Sequence, residues 1–318
     1  MSRFYEITPL DTLFFRGATP MEAGQYNTVS LFPPPVSVLK GAFWTELCRQ
    51  HGKDYAAGLT NGDIPLRITG FYIKKVAGGD AVCYYVPAPA TWYYDSFEKA
   101  AVGADCEGKK LCVAGCKKED FGALGMQSYT GDIVFVKPEK EAKPLGGAWV
   151  SASFLSEKQG AQFAKDSILF DKDIYTRESR TGVALDEKRR AKDGQLYTST
   201  HIRLHDGVSF VLSIDGDCDL EEGTMSLGGE QRVVAYRHCE KILLNKNVAT
   251  ENGEQRYLSL VSVEATKANL GDLLSSAKVV MVSGWDLKRG FHKPSVSWIP
   301  AGAVFKKNID NICVPLAQ

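Results

Sequence analysis

Apolar and polar positions alternate from Arg3 to Pro9, the period of a half-buried strand, and Leu13, Phe14 and Phe15 predict its continuation to Arg16-Gly17. A loop bearing Gly, Thr and Asn follows from Ala18 to Ser30, and Phe32-Pro33-Pro34-Pro35 holds the chain extended. The period then changes. Val38, Leu39, Ala42, Phe43 and Leu47 recur at helical spacing and predict a helix from Val36 to His51, with Ser37 as its cap. Two strand-like runs, Leu66 to Val76 and Ala81 to Pro87, flank Gly78-Gly79-Asp80 and predict a hairpin. Glu98 to Pro144 is poorly patterned and reads as short strands and loops. Phe154, Leu155 and Phe163 predict a second helix within Ser151 to Lys165. Later strands are expected over Val208–Ile214, Val233–Tyr236, Tyr257–Ala265, Val279–Val282 and Trp298–Lys306, with a short helix over Leu270–Ser276.

Between these lies Ile174 to Leu204. Tyr175 precedes a basic pair, Arg177 and Arg180; Leu196, Tyr197, Ile202 and Leu204 form a second flank. Lys188, Arg189, Arg190 and Lys192 occupy the middle, which has almost no apolar residue to bury. Two strand-like arms with a basic, mobile tip predict a protruding hairpin, a form suited to gripping a phosphate backbone. The interleaved Glu178, Asp186, Glu187 and Asp193 leave a second reading open, a solvated loop whose charges pair locally. That is the reading this stretch favours by itself.

The pattern as a whole predicts an α+β protein: two ferredoxin-like (RRM-like) domains with antiparallel sheets and a protruding basic β-hairpin. The expected division is 1–165, 166–205 for the hairpin and 206–318. The 318 residues carry a formal net charge of zero, so contact with nucleic acid would have to be local. No run reaches the roughly 18 apolar residues needed to span a bilayer, and Met-Ser-Arg-Phe-Tyr-Glu has no apolar signal core. A cytoplasmic protein is expected, with no membrane partner and with its eight cysteines reduced. Cys106, Cys112 and Cys116, with Cys83 as a possible fourth ligand, do not have the spacing of a zinc pair.

Candidate chemistry is sparse. His201 and His205 are four apart, but Thr-His-Ile-Arg-Leu-His-Asp-Gly reads as a strand ending in a turn, so no metal pair is expected. The acidic run Asp215 to Glu222 reads as a solvated turn rather than a calcium loop. Gly-x-Ser-x-Gly and the phosphate-binding Gly-x4-Gly-Lys-[Ser/Thr] are absent. A metal-independent ribonuclease with His201 or His292 as general base beside a cation such as Arg203 is conceivable. Ser37 and Lys40 at the start of the first helix form an anion site, or else Ser37 merely caps and Lys40 is solvated. Trp285, Phe291 and Trp298 interleave with Lys288, Arg289, Lys293, Lys306 and Lys307 in a second basic patch, suited to an RNA groove or else plugging the core.

Several segments are familiar as an ordered set. They are Leu10-Asp11-Thr12-Leu13-Phe14-Phe15-Arg16, Phe32-Pro33-Pro34-Pro35-Val36-Ser37, Tyr85-Val86-Pro87-Ala88-Pro89, Glu178-Ser179-Arg180-Thr181-Gly182-Val183, Leu196-Tyr197, His201-Ile202-Arg203, Leu227-Gly228-Gly229-Glu230-x-Arg232, Gly284-Trp285-Asp286 and Pro300-Ala301-Gly302-Ala303-Val304. Together they resemble the third-subunit family of the Cmr complexes, RAMP-superfamily proteins of type III-B CRISPR effectors, over nearly the whole chain. The resemblance implies two ferredoxin-like domains, a protruding hairpin and a glycine-rich turn, here Gly284 to Lys293. It implies a non-catalytic subunit, without cofactor or metal, that holds the 5′ tag of the crRNA. Such a subunit sits between the large polymerase-like subunit and the first backbone RAMP subunit in antiviral defence. The alternative within the superfamily is a metal-independent endoribonuclease that processes precursor crRNA. The expected RNA contacts are Arg16, Ser37, Lys40, Arg177, Arg180, Lys188, Arg189, Arg190, His201, Arg203, Trp285, Lys288, Arg289 and Lys293.

Overall fold

The computed structural model describes residues 2–17, 26–52, 64–76, 81–95, 106–118, 133–136, 138, 142–216, 218–244, 255–283, 285–286, 291–292 and 294–316. It forms two compact units, each discontinuous along the chain. The first comprises Met1–Ile68, Ile174–Glu240 and Met281–Val296; the second comprises Thr69–Asp173, Lys241–Val280 and Ser297–Gln318. They do not coincide with the successive segments 1–165 and 206–318 expected from sequence. The physical reason is long-range strand pairing, in which the first strand takes its partners from residues past 200.

In the first unit, the strand Arg3–Pro9 lies between Val208–Asp215 and Val233–His238, antiparallel to both, with Gly223–Ser226 beyond the latter. Arg3 stands opposite Ile214 and Pro9 opposite Val234. Val208–Asp215 is buried along nearly its whole length, as befits a near-continuous apolar run. The helix Val36–His51 forms over the expected residues and buries Leu39, Phe43 and Leu47, one turn apart, against the sheet. Phe43 meets Tyr5 edge-on at 5.3 Å between ring centroids. Glu46 on that face is buried, and accepts hydrogen bonds from Arg49, Gln50 and the Tyr236 hydroxyl. Ser37 does not cap this helix. Pro35 stands at the cap position, and its carbonyl accepts from the Val38 and Leu39 N–H groups.

The expected extension of the first strand to Phe15 is not made. Leu13 leaves that ladder and exchanges two backbone hydrogen bonds with Ile202, at 2.7 and 2.8 Å. The hairpin itself is present as Tyr175–Leu185, the outgoing arm, and Ala191–Leu204, the return arm, antiparallel from Tyr175↔Leu204 to Val183↔Leu196. The short strand Tyr26–Val29 runs parallel to the return arm.

In the second unit, Arg67–Val76 and Val82–Pro87 form the hairpin read from Gly78-Gly79-Asp80, a turn outside the described residues. Trp149–Ser151 and Ile168–Leu169 continue the sheet. No helix forms over Ser151–Lys165. A single 3-10 turn at Phe154–Ser156 gives way to Gly160 and Asp166, both at positive φ. Phe154 and Phe163, nine apart, meet through that fold-back at 4.8 Å and not on a helical stripe. Tyr257–Ala265 is two strands, Arg256–Ser259 and Val263–Glu264, because the chain bends at the buried Leu260 and Val261. The late helix is Lys267–Asp272, capped by Thr266, and Leu273–Ser275 is already a strand. Antiparallel ladders with few helices place the chain in the expected α+β class. Among the described residues no helix is long and apolar enough to cross a membrane.

Candidate nucleic-acid interface

Side chains alternate across a strand, so the hairpin register decides which residues can act together. Glu178 pairs with His201, Arg180 with Ser199, Gly182 with Tyr197 and Thr176 with Arg203. These form one face. Arg177 pairs with Ile202 and lies on the other, so it does not form a basic pair with Arg180. Its guanidinium turns back on Tyr175, donating to the hydroxyl at 3.3 Å and lying 5.8 Å from the ring centroid.

On the shared face the charges form a closed network. Glu178 accepts from Arg180 at its Oε1 (2.9 Å from Nη2) and from Arg203 Nε at its Oε2 (2.7 Å). Asp11, in the loop after the first strand, accepts from Arg203 Nη2 at 3.0 Å, Arg180 Nη2 at 3.2 Å and Arg232 Nη1 at 2.9 Å. Arg232 donates in addition to Glu230 at 2.9 Å. Three arginines thus face three carboxylates. The backbone N–H of Thr12, then Arg203 and Arg180, hold the Asp11 carboxyl below its ordinary range. Arg203 and Arg180 do the same for Glu178. The local pairing of charges read as an alternative from sequence is therefore present, but on an ordered hairpin.

The segment Leu227–Arg232 carries Glu230 and Arg232 to this place. The Gly229 N–H donates to the Phe14 carbonyl at 2.7 Å, and the Leu227 N–H to Arg232 at 2.7 Å. His201 sits beneath, fully buried, its ring stacked on Phe14 at 4.9 Å. Its Nδ1 lies 3.2 Å from the Thr12 hydroxyl; its Nε2 lies 3.1 Å from the Ser199 hydroxyl and 3.4 Å from Glu230. The ring is enclosed by these neighbours and presents no surface to solvent in this conformation. Burial holds its pKa below the ordinary 6.5, against the pull of Glu230. The unfolded chain therefore binds the proton more readily. The stability that His201 contributes is complete above pH 6.5 and is lost as pH falls below it. We expect the His201 ring resonances to stay in the neutral form where exposed histidines titrate; a normal midpoint would contradict the burial argument.

At the tip, Asp186 organises a defined turn: its Oδ1 accepts from the Lys188 and Arg190 N–H groups, and its Oδ2 pairs with Arg190 at 3.3 Å. Lys188, Arg189, Arg190 and Lys192 are exposed there, four cations against the three carboxylates of Asp186, Glu187 and Asp193. Next to Arg203, a cleft of ≈ 290 Å³ is lined by Asp11, His205, Asp206 and the ends of the adjoining strands.

The structure thus gathers Arg180, His201 and Arg203. Ser37 is exposed and Lys40 half-buried on the first helix, and Arg16 is half-buried. Lys288, Arg289 and Lys293 lie outside the described residues; of Trp285 only the backbone is described, paired with His292. Asp11, Thr12, Glu230 and Arg232 were not expected at the site. The one signal for Asp11, Glu230 and Arg232 was opposite charge within segments of the ordered set; the uncharged Thr12 gave none. Among the described residues no group of His, Cys, Asp and Glu is placed to hold a metal ion.

A family model described as CRISPR-associated protein (Cas_Cmr3) matches residues 5–307. No curated protein matches the chain. Solved structures with similar chains include two of the Type III-B Cmr-beta. One is the cryo-EM structure of the Type III-B Cmr-beta bound to cognate target RNA and AMPPnP, state 1, with 19% identity, 95% of this chain and 86% of that chain covered, and a TM-score of 0.55. The other is the Type III-B Cmr-beta bound to cognate target RNA, with the same identity and coverage and a TM-score of 0.54. At this identity the likeness shows a shared fold.

Proposed function

This chain belongs to the CRISPR-associated protein (Cas_Cmr3) family, and from that premise we propose that it is the third subunit of a type III-B effector, a non-catalytic RNA-binding component. In this reading it holds the 5′ tag of the crRNA and joins the large polymerase-like subunit to the first backbone RAMP subunit, in the cytoplasm. Two ferredoxin-like halves belong to the same reading. The similar chains come from assemblies bound to target RNA, which agrees with it.

The observation that carries the proposal is the pairing of Arg180 and Arg203 on one hairpin face. Their side chains are 32% and 46% exposed, and among the described residues Nη1 of neither is hydrogen-bonded. A planar guanidinium with a free edge suits a phosphate oxygen. Tyr197 flanks them, its ring lying against Gly182, where a Cβ would stand 2.2 Å from the ring. That half-exposed ring is available for stacking on an unpaired base. The exposed tip cations extend the track. The buried His201, with both ring nitrogens engaged, is poorly disposed to act as a general base, which favours the non-catalytic reading over the nuclease.

Arg180→Ala and Arg203→Ala are each expected to weaken binding of single-stranded RNA about three- to tenfold, and to reduce the salt slope by about 0.7 per lost contact. Fluorescence anisotropy at two salt concentrations measures both. Unchanged affinity and slope in both variants would remove these arginines from the interface. Sequencing RNA that co-purifies with the tagged chain tests the tag: a shared 5′ sequence is expected.

A further inference from the structure

The two arginines offered to RNA are already engaged. Asp11 uses one carboxylate oxygen for Arg203 and the other for Arg180 and Arg232; Glu178 uses Oε1 for Arg180 and Oε2 for Arg203. Two carboxylates therefore bridge the same two guanidinium groups, as two neighbouring phosphates of a nucleic-acid backbone would. The four groups sum to zero charge, and Arg232 with Glu230 adds none.

We propose that Asp11 and Glu178 are specificity-determining residues: they occupy the Arg180 and Arg203 forks so that a lone phosphate is refused and a chain of several phosphates is accepted. The inference rests on the RNA-contact reading above. A single anion must displace a carboxylate tethered to the same surface and therefore present at high effective concentration. A polyanion brings several charges at once, reaches the tip cations Lys188, Arg189, Arg190 and Lys192 as well, and releases counterions as it binds. The exchange strands no buried charge, because Asp11 and Glu178 are 45% and 36% exposed and can turn into solvent. Arg232 is the more enclosed arginine at 17% exposure and would keep Glu230 as its partner, while the Gly229 N–H bond to the Phe14 carbonyl would keep Leu227–Arg232 docked.

The test uses the full chain and a labelled single-stranded RNA of about 20 nucleotides, long enough to span several phosphates. Asp11→Asn and Glu178→Gln are expected to bind it about fivefold more tightly than the wild type, a modest exposed-pair effect. Their salt slopes should steepen by about 0.7. Inorganic phosphate, a poor competitor against the wild type, should compete at lower concentration in both variants. Glu178→Gln covers the case in which Asp11→Asn loses the fold with its bond to Arg232; thermal melts identify which variants are folded. Equal or weaker RNA binding in a folded variant, with phosphate competition unchanged, overturns the inference and leaves Asp11 and Glu178 as clasps of the hairpin. Failure of the RNA-contact reading looks different: Arg180→Ala and Arg203→Ala would then bind RNA as the wild type does. RNA bound by neither wild type nor carboxylate variants overturns both.

Discussion

Gly228→Ala is expected to destabilise the fold by about 3 kcal/mol and to lower the midpoint of thermal unfolding by several degrees. Gly228 has φ +87°, and a Cβ built there stands 2.5 Å from the Phe14 carbonyl oxygen and 3.0 Å from the Phe15 ring. The oxygen belongs to the backbone and cannot swing aside. It is already the acceptor of the Gly229 N–H, so moving it breaks a second contact. Left-handed strain by itself would cost about 1 kcal/mol. Gly194 isolates that part, with φ +71° and nothing within 4 Å of its Cβ. Gly194→Ala should therefore cost about 1 kcal/mol. The consequence reaches the interface as well, because Leu227–Arg232 carries the arginine that holds Asp11. Equal melting temperatures for the two alanine variants would show that the contact with Phe14 is not what demands glycine.

His201→Ala should cost a comparable amount, about 3 kcal/mol, through the loss of a fully buried ring. The variant removes the stack on Phe14 and leaves the Thr12 and Ser199 hydroxyls without their ring partners. Denaturant unfolding at pH 7.5 would measure the loss. Measured again below pH 6.5, the gap between wild type and variant should narrow, because the wild type alone surrenders the neutral-ring contribution. A loss under about 1 kcal/mol would mean that the pocket closes around alanine and that His201 does not support the site.

Local patterning carried much of the fold. The helix Val36–His51 was legible because Leu39, Phe43 and Leu47 fall on one stripe, which tertiary packing then buries. The hairpin arms were legible from apolar flanks around a charged middle. The reading failed where spacing was not honoured. Arg177 and Arg180 are three apart, an odd offset that places them on opposite faces of a strand, and that was available from the sequence. Phe154, Leu155 and Phe163 do not make a helical set, because a gap of eight skips two turns; the buried cluster they form comes from a fold-back.

The sequence by itself determined the class of the protein, the positions of its main strands and long helix, and its family. These follow from periodicities and ordered segments, which are properties of neighbours along the chain. Only the tertiary structure decided that each unit is assembled from separated stretches of the chain, and that Asp11 meets Arg180, Arg203 and Arg232 across sequence separations of 169, 192 and 221 residues. Charge has no periodicity that announces a partner so distant. Coulomb attraction selects whichever opposite charge the strand register and the glycine-dependent Leu227–Arg232 turn bring within reach. The sequence contained all six charges of the network, and the backbone pairing turned Arg180 and Arg203 from candidate free cations into members of a neutralised cluster.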